Sequence, residues 1–145
     1  DEKFYITENV YIIGTMNDID RSVDSFDFAM RRRFRFVEVR AESTKDMLDT
    51  ISDEDIKNEA IARMDRLNAE ILKVEGLNEN YQIGASYFLK LKYLNFNDFW
   101  TDYLEPLLQE YVRGLYDEKG IMKRFARAYG YSALDEGATD EANQN

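Results

Sequence analysis

The chain has 145 residues, room for one ordinary domain or part of a larger one, and its 44% hydrophobic and 14% aromatic content excludes global disorder. With no cysteine and no histidine, disulfides, thiolate nucleophiles, Cys- or His-ligated metals and the usual catalytic triads are excluded. A net charge of −10 argues against gripping a long phosphate backbone over a broad surface.

Residues 9–16, Asn-Val-Tyr-Ile-Ile-Gly-Thr-Met, are a short, nearly continuous apolar run, the pattern of a strand buried on both faces of a parallel sheet. Residues 17–22 are polar and turn-prone. Val23, Phe26, Met30 and Phe34 then recur at helical spacing, with Ser22 as a cap and Asp24 in the first turn. Residues 34–39 are β-branched and aromatic, which predicts a second strand. Strand, polar loop, helix, strand is one crossover unit of a parallel sheet. Two strands cannot bury both faces alone, so this half reads as the end of a larger sheet domain whose open edges seek partners in another chain.

After Arg40 the pattern turns helical. Ser43 and Thr44 offer a capped start to a short helix running to Ile51. Ser52, with Asp55 three residues on, opens a longer one whose buried stripe is Ile56, Ala60, Met64, Leu67, Ile71 and Val74, with Gly76 placed to end it. Residues 78–93 are less regular. Phe99, Tyr103, Leu107, Tyr111 and Val112 mark a further helix ended by Gly114, and Pro106 either kinks it or starts a second one. A final helix is expected from Asp117 to Tyr129. From Asp135 onward the chain is acidic and polar, which predicts a disordered tail.

Charge is unevenly placed. Between positions 21 and 40 six arginines face three acids, a net of +3, which leaves −13 for the rest. A cationic island in an acidic chain suits a small anion such as a nucleotide. The plainer alternative is a helix C-terminus whose dipole favours cations. Asn17 stands at the C-terminal end of the first strand, where open parallel sheets bind ligands, and its amide can hold a water and a phosphate oxygen together. An Asx turn would explain it equally well. Asp20 and Arg21 read either as a salt-bridge network or as nucleotide-contacting groups. In a helix Arg31, Arg32 and Arg33 would each turn by about 100°, so one must face away from its own domain, as an arginine finger for a neighbour would.

The run Asn9-Val-Tyr-Ile-Ile-Gly-Thr-Met-Asn-Asp-Ile-Asp-Arg-Ser22, followed by Phe28-Ala-Met-Arg-Arg-Arg-Phe34, resembles the AAA+ motor of the McrB family, the GTP-dependent subunit of modified-cytosine-specific restriction systems. The resemblance continues through Tyr81-Gln-Ile-Gly-Ala-Ser-Tyr-Phe88 and Pro106-Leu-Leu-Gln-Glu-Tyr111. It implies a mainly α chain with a small α/β portion, the C-terminal part of an AAA+ P-loop NTPase module. Residues 1–41 would be the end of its α/β core, 42–133 its helical lid, and 134–145 the acidic tail. By the same resemblance Asn17 matches sensor 1, which orients the attacking water. Arg32 and Arg33 match arginines acting in trans on the adjacent subunit's nucleotide, and Arg31 is an interface contact or a structural group. Asp20 and Arg21 fall in a stretch read in the family as a guanine-recognition motif, or else lie at the subunit interface. Residues 83–88 match a lid motif beside the nucleotide, where the family commonly has histidine in place of Ala85. Ser86 is the contact candidate there.

No Gly-x-x-x-x-Gly-Lys-Ser/Thr loop and no strand ending in paired magnesium-binding acids occurs in the 145 residues. Both are expected N-terminal to Asp1 in a complete motor, so GTP (or ATP) and Mg2+ would be bound by the intact parent and not by this fragment, which has no metal site of its own. The resemblance further implies a self-associated ring, expected to be hexameric, an endonuclease subunit as partner, and DNA bound through other domains. With no apolar run near the roughly 20 residues of a membrane span, and no signal-peptide pattern at Asp1, a cytoplasmic protein is expected. Two rival readings are a MoxR-like AAA+ ATPase that remodels proteins and a free-standing helical interaction module.

Overall fold

The longest helix, α2 (Glu54–Ile71), begins where the Asp53 carboxylate accepts from the backbone N–H groups of Asp55 and Ile56 at 2.9 and 3.1 Å. The cap is thus one residue later than Ser52, because a carboxylate can accept both bonds at once. Ala60, Met64, Leu67 and Ile71 are buried along one face, Val74 continues it past the helix end, and Ile56 is only partly covered. Gly76, at φ +92°, lies in the reversal that follows.

The computed structural model describes residues 5–16 and 28–132, which divide into two compact units, Asp1–Arg35 and Phe36–Asn145. Asn17, Asp20, Arg21, the expected cap Ser22 and the acidic tail lie outside the described residues. In the first unit, α1 (Phe28–Arg31) is a single helical turn. The strands expected at 9–16 and 34–39 are not formed among the described residues: none belongs to a strand, and 9–16 carries only a turn closed by Val10 N–H to Thr7 C=O at 3.2 Å. A strand is defined by the ladder it shares with a neighbour, and apolar content cannot substitute for a pairing partner. Tyr11 and Ile13 are 89% and 91% exposed.

The second unit is helical. A 3₁₀ segment at Glu42–Thr50 precedes α2, and its side-chain hydroxyls close successive turns: Ser43 donates to Arg40 C=O, Thr44 to Ala41 C=O and Thr50 to Met47 C=O, at 2.7–2.8 Å. Those bonds suit the tighter i to i+3 spacing, and Leu48 is driven into the core. Residues 78–93 resolve into short pieces: a 3₁₀ turn at Glu79–Tyr81, α3 (Ala85–Phe88) and a 3₁₀ turn at Leu89–Lys92.

Next come α4 (Phe96–Phe99), a π turn at Trp100–Leu104 and α5 (Glu105–Val112). Pro106 has no N–H, and its ring would strike the carbonyl four residues earlier in a regular helix. The chain widens instead of breaking, and Glu105 N–H bonds back to Trp100 C=O. That extra residue corrects the expected stripe. Phe99, Trp100, Leu104, Leu108 and Val112 are buried, whereas Tyr103 is 37% exposed and Leu107 and Tyr111 are only partly buried. Steps of four overshoot a 3.6-residue turn by about 40° each, which the wide turn partly absorbs.

The last helix, α6 (Glu118–Tyr129), packs on α2 and α5. Gly130, at φ +84°, ends it in a Schellman motif: its own N–H bonds Arg127 C=O at 3.1 Å and Tyr131 N–H bonds Ala126 C=O at 2.9 Å. The reversal folds Tyr131 back so that Trp100 is stacked between Tyr129 and Tyr131, at centroid distances of 5.1 and 5.5 Å. Aromatic pairs of this kind add about 0.5–1.5 kcal/mol beyond their burial. No described helix is long and apolar enough to cross a membrane.

Candidate functional site

The arginine run straddles the end of α1. Arg31 closes the helix, while Arg32 and Arg33 stand in the turn after it, and all three are exposed. The 100° argument for successive helical positions therefore does not reach Arg32 and Arg33. Leaving the helix is what frees them, because side chains in a turn are not tied to its faces. Neither makes an ion pair among the described residues. An exposed guanidinium without a carboxylate partner keeps its five donors for an external anion.

In the second unit, residues 83–88 are fixed from two directions. Asn68 of α2 is 6% exposed, and its carboxamide accepts from Ile83 N–H at 2.7 Å and donates to Ile83 C=O at 2.9 Å. The Thr44 hydroxyl, which donates to Ala41 C=O at 2.7 Å, accepts from Ala85 N–H at 3.3 Å. Ala85 and Phe88 are fully buried, with Phe88 edge-on to Phe99 at 5.1 Å. Ser86 between them is exposed on α3. The alternation is geometrical: α3 presents Ala85 and Phe88, three positions apart, to the core and leaves Ser86 facing outward.

Beyond this segment, Lys90 sets its Nζ 4.7 Å from the Tyr87 ring centroid and 4.9 Å from that of Tyr103, a cation held between two aromatic faces. Burial, and secondarily Tyr103, pushes the Tyr87 hydroxyl above its ordinary pKa. On the α6 side, Arg63 lies 4.3 Å over Phe96 and 5.0 Å over Tyr129. Arg63 also reaches Gly130 C=O at 3.3 Å, and Arg66 reaches Ala128 C=O at 3.1 Å, two cations at the negative end of α6. Glu59 accepts from both arginines, at 2.7 and 3.4 Å, and the Arg63 hydrogen bond holds its carboxyl below the usual range.

Of the residues singled out in the sequence, Arg31, Arg32 and Arg33 belong to the first unit and Ser86 to the second. Asn68 and Thr44 were missed. The signal for Asn68 was present, since it sits four residues after Met64 and three before Ile71, on the apolar stripe, where an amide implies a buried partner. Among the described residues no three acidic side chains converge where a metal ion could sit.

Residues 59–119 match a family model described as the McrB alpha-helical lid domain. The chain is also similar to the Type IV methyl-directed restriction enzyme EcoKMcrB subunit of Escherichia coli (strain K12), at 35% identity over 126 residues. That alignment takes in 77% of this chain but 27% of the relative, so the chain spans about a quarter of the relative's length. No solved structure matches it.

Proposed function

We propose, for a chain that belongs to the McrB family and carries its α-helical lid, that it is the lid-bearing part of an AAA+ nucleoside-triphosphatase motor in a McrB-like restriction system, with GTP the favoured nucleotide. The observation that carries the reading is the match of residues 59–119 to the lid model, together with Arg32 and Arg33, which make no ion pair among the described residues just past α1. In this reading residues 9–16 are a core strand that pairs once its neighbours are supplied. The exposure of Tyr11 and Ile13 supports that. Asn17 orients the attacking water, and Arg32 and Arg33 stabilise charge on a nucleotide held by the adjacent subunit. Asp20, Arg21 and Arg31 serve the interface, and Ser86 touches the nucleotide from the lid. GTP and Mg2+ are held by a phosphate loop and acids outside these 145 residues, where the metal neutralises charge on the transferring phosphate. The motor is a cytoplasmic ring with an endonuclease subunit as partner, and DNA engages it through other domains.

The experiment is hydrolysis by the full-length protein that contains this chain, measured with GTP and with ATP. Preferential GTP turnover that rises with subunit concentration as rings assemble supports the proposal. Preferential ATP turnover favours the protein-remodelling branch, and the absence of any triphosphate hydrolysis overturns the motor reading.

A further inference from the structure

A carboxamide in the apolar stripe of a helix is costly unless both of its ends are satisfied, and Asn68 satisfies both on one residue, Ile83. The bidentate bond fixes the two successive peptide groups that flank the Ile83 Cα. Two residues further on, Thr44 takes the N–H of Ala85. The main chain is therefore held on both sides of Gly84, by side chains from two different elements, immediately before the exposed Ser86. Among the described residues the Ser86 side chain makes no hydrogen bond, and the residue is held by this backbone and by the burial of its neighbours Ala85 and Phe88. The place from which its hydroxyl projects is therefore set by Asn68 and Thr44.

We propose that Asn68 and Thr44 are positioning residues for Ser86, a clamp that presents the hydroxyl of the lid segment to the nucleotide. The inference rests on reading residues 83–88 as the nucleotide-facing segment of the lid. Asn68 never meets the nucleotide. Its effect passes through Ile83 and Ala85 to a contact that must be right to within a fraction of an ångström. If Asn68 served only to fill the core and pair Ile83, its removal would lower stability and leave nucleotide affinity alone.

The test is a double-mutant cycle on the full-length protein, read as KM and kcat for GTP hydrolysis alongside thermal stability. Ser86→Ala, Asn68→Leu and Thr44→Val are measured singly, and Ser86→Ala is combined with each of the others. Each single change is expected to raise KM about fivefold, the worth of one hydrogen bond, with kcat within about twofold. The doubles should be no worse than Ser86→Ala alone, because the clamp acts only through that hydroxyl. Multiplying effects in the doubles, or an unchanged KM in N68L and T44V, overturns the clamp while leaving the motor reading intact. An unchanged KM in S86A overturns it as well, since there is then no contact to position. If the wild type hydrolyses no triphosphate, the motor reading fails and takes the clamp with it. Should N68L not assemble, T44V, which keeps the side-chain shape, decides by the same criteria.

Discussion

The Tyr129 hydroxyl donates to the Phe96 carbonyl at 2.8 Å, tying the last turn of α6 to the first residue of α4. Tyr129 is fully buried, stacked on Trp100 and beneath Arg63, so this bond is the polar anchor of the aromatic centre.

Tyr129→Phe keeps the ring and removes the anchor, so it should cost about 1 kcal/mol at neutral pH, measured by urea unfolding. The cost should depend on pH in one direction. Burial raises the pKa of Tyr129 above its ordinary value, so the folded state keeps a proton that the unfolded chain releases. Wild-type stability from this group is complete below about pH 10 and falls as pH rises beyond it. The gap between wild type and Y129F should therefore narrow above pH 10. A gap that stays constant to pH 11 would show that Tyr129 is not protected by the fold.

Glu59 works with the opposite sign. Its carboxyl is held low, chiefly by Arg63, so its contribution is complete above the ordinary carboxylate pKa of about 4.3 and is lost as pH falls through the lower folded value. Its side chain is 42% exposed, so water screens the pair and Glu59→Gln should cost under about 1 kcal/mol at pH 7. The difference from wild type should begin to shrink as pH falls below about 4.3 and go on shrinking down through the lower folded value. Arg63→Ala should cost more, because it also removes the stacking on Phe96 and the bond to Gly130 C=O. Thermal unfolding of both variants at pH 7 and pH 3.5 separates the two contributions.

These elements show what the sequence could and could not reveal. The last helix, expected from Asp117 to Tyr129, runs from Glu118 to Tyr129 with Asp117 as its cap, and it was legible because Asp117, Gly130 and the spacing of Ile121, Phe125 and Tyr129 are all local signals. The stripe from residue 99 to 112 was read one face off. Its rotation depends on the π turn, and Pro106 announced a disturbance without saying whether the helix would break or widen. The strands at 9–16 and 34–39 depend on partners that no local pattern supplies. At the candidate site the arginine run and Ser86 stood out, whereas Asn68 was hidden in the stripe it interrupts and Thr44 in an apparent capping sequence. Both act through main-chain groups 15 and 41 residues away, which spacing does not reveal.

The arginines allow a test that separates cis from trans. In the full-length protein, Arg32→Ala or Arg33→Ala should remove most GTP turnover and leave nucleotide binding nearly intact, since a finger meets charge that develops in the transition state. Asn17→Ala should do the same within the subunit that holds the nucleotide. Mixing Asn17→Ala subunits with Arg32→Ala subunits should then restore partial activity, because some interfaces pair an intact asparagine with an intact arginine. If mixed rings form and stay inactive, the trans role fails and the run is a cation-rich helix end.

A last prediction turns on the start of α6, where Asp117 is held at φ +59° and accepts from Gly120 N–H at 3.1 Å. Replacing a helical glycine by alanine ordinarily stabilises by about 0.5–1 kcal/mol. At Gly120 the added Cβ would fall on the Asp117 carboxylate, which is too short to swing aside without giving up its cap. Losing that cap costs about 1 kcal/mol, so Gly120→Ala alone should gain nothing or lose slightly. Asp117→Gly removes the obstacle and suits the left-handed backbone, and a glycine cap costs only a few tenths of a kcal/mol. In that background Gly120→Ala should recover its full gain, a coupling of about 1 kcal/mol between neighbours three residues apart. Urea unfolding of the four proteins at matched m-values measures it. Equal gains in both backgrounds would mean that the carboxylate leaves the position freely, and that Gly120 is there for some reason other than the cap.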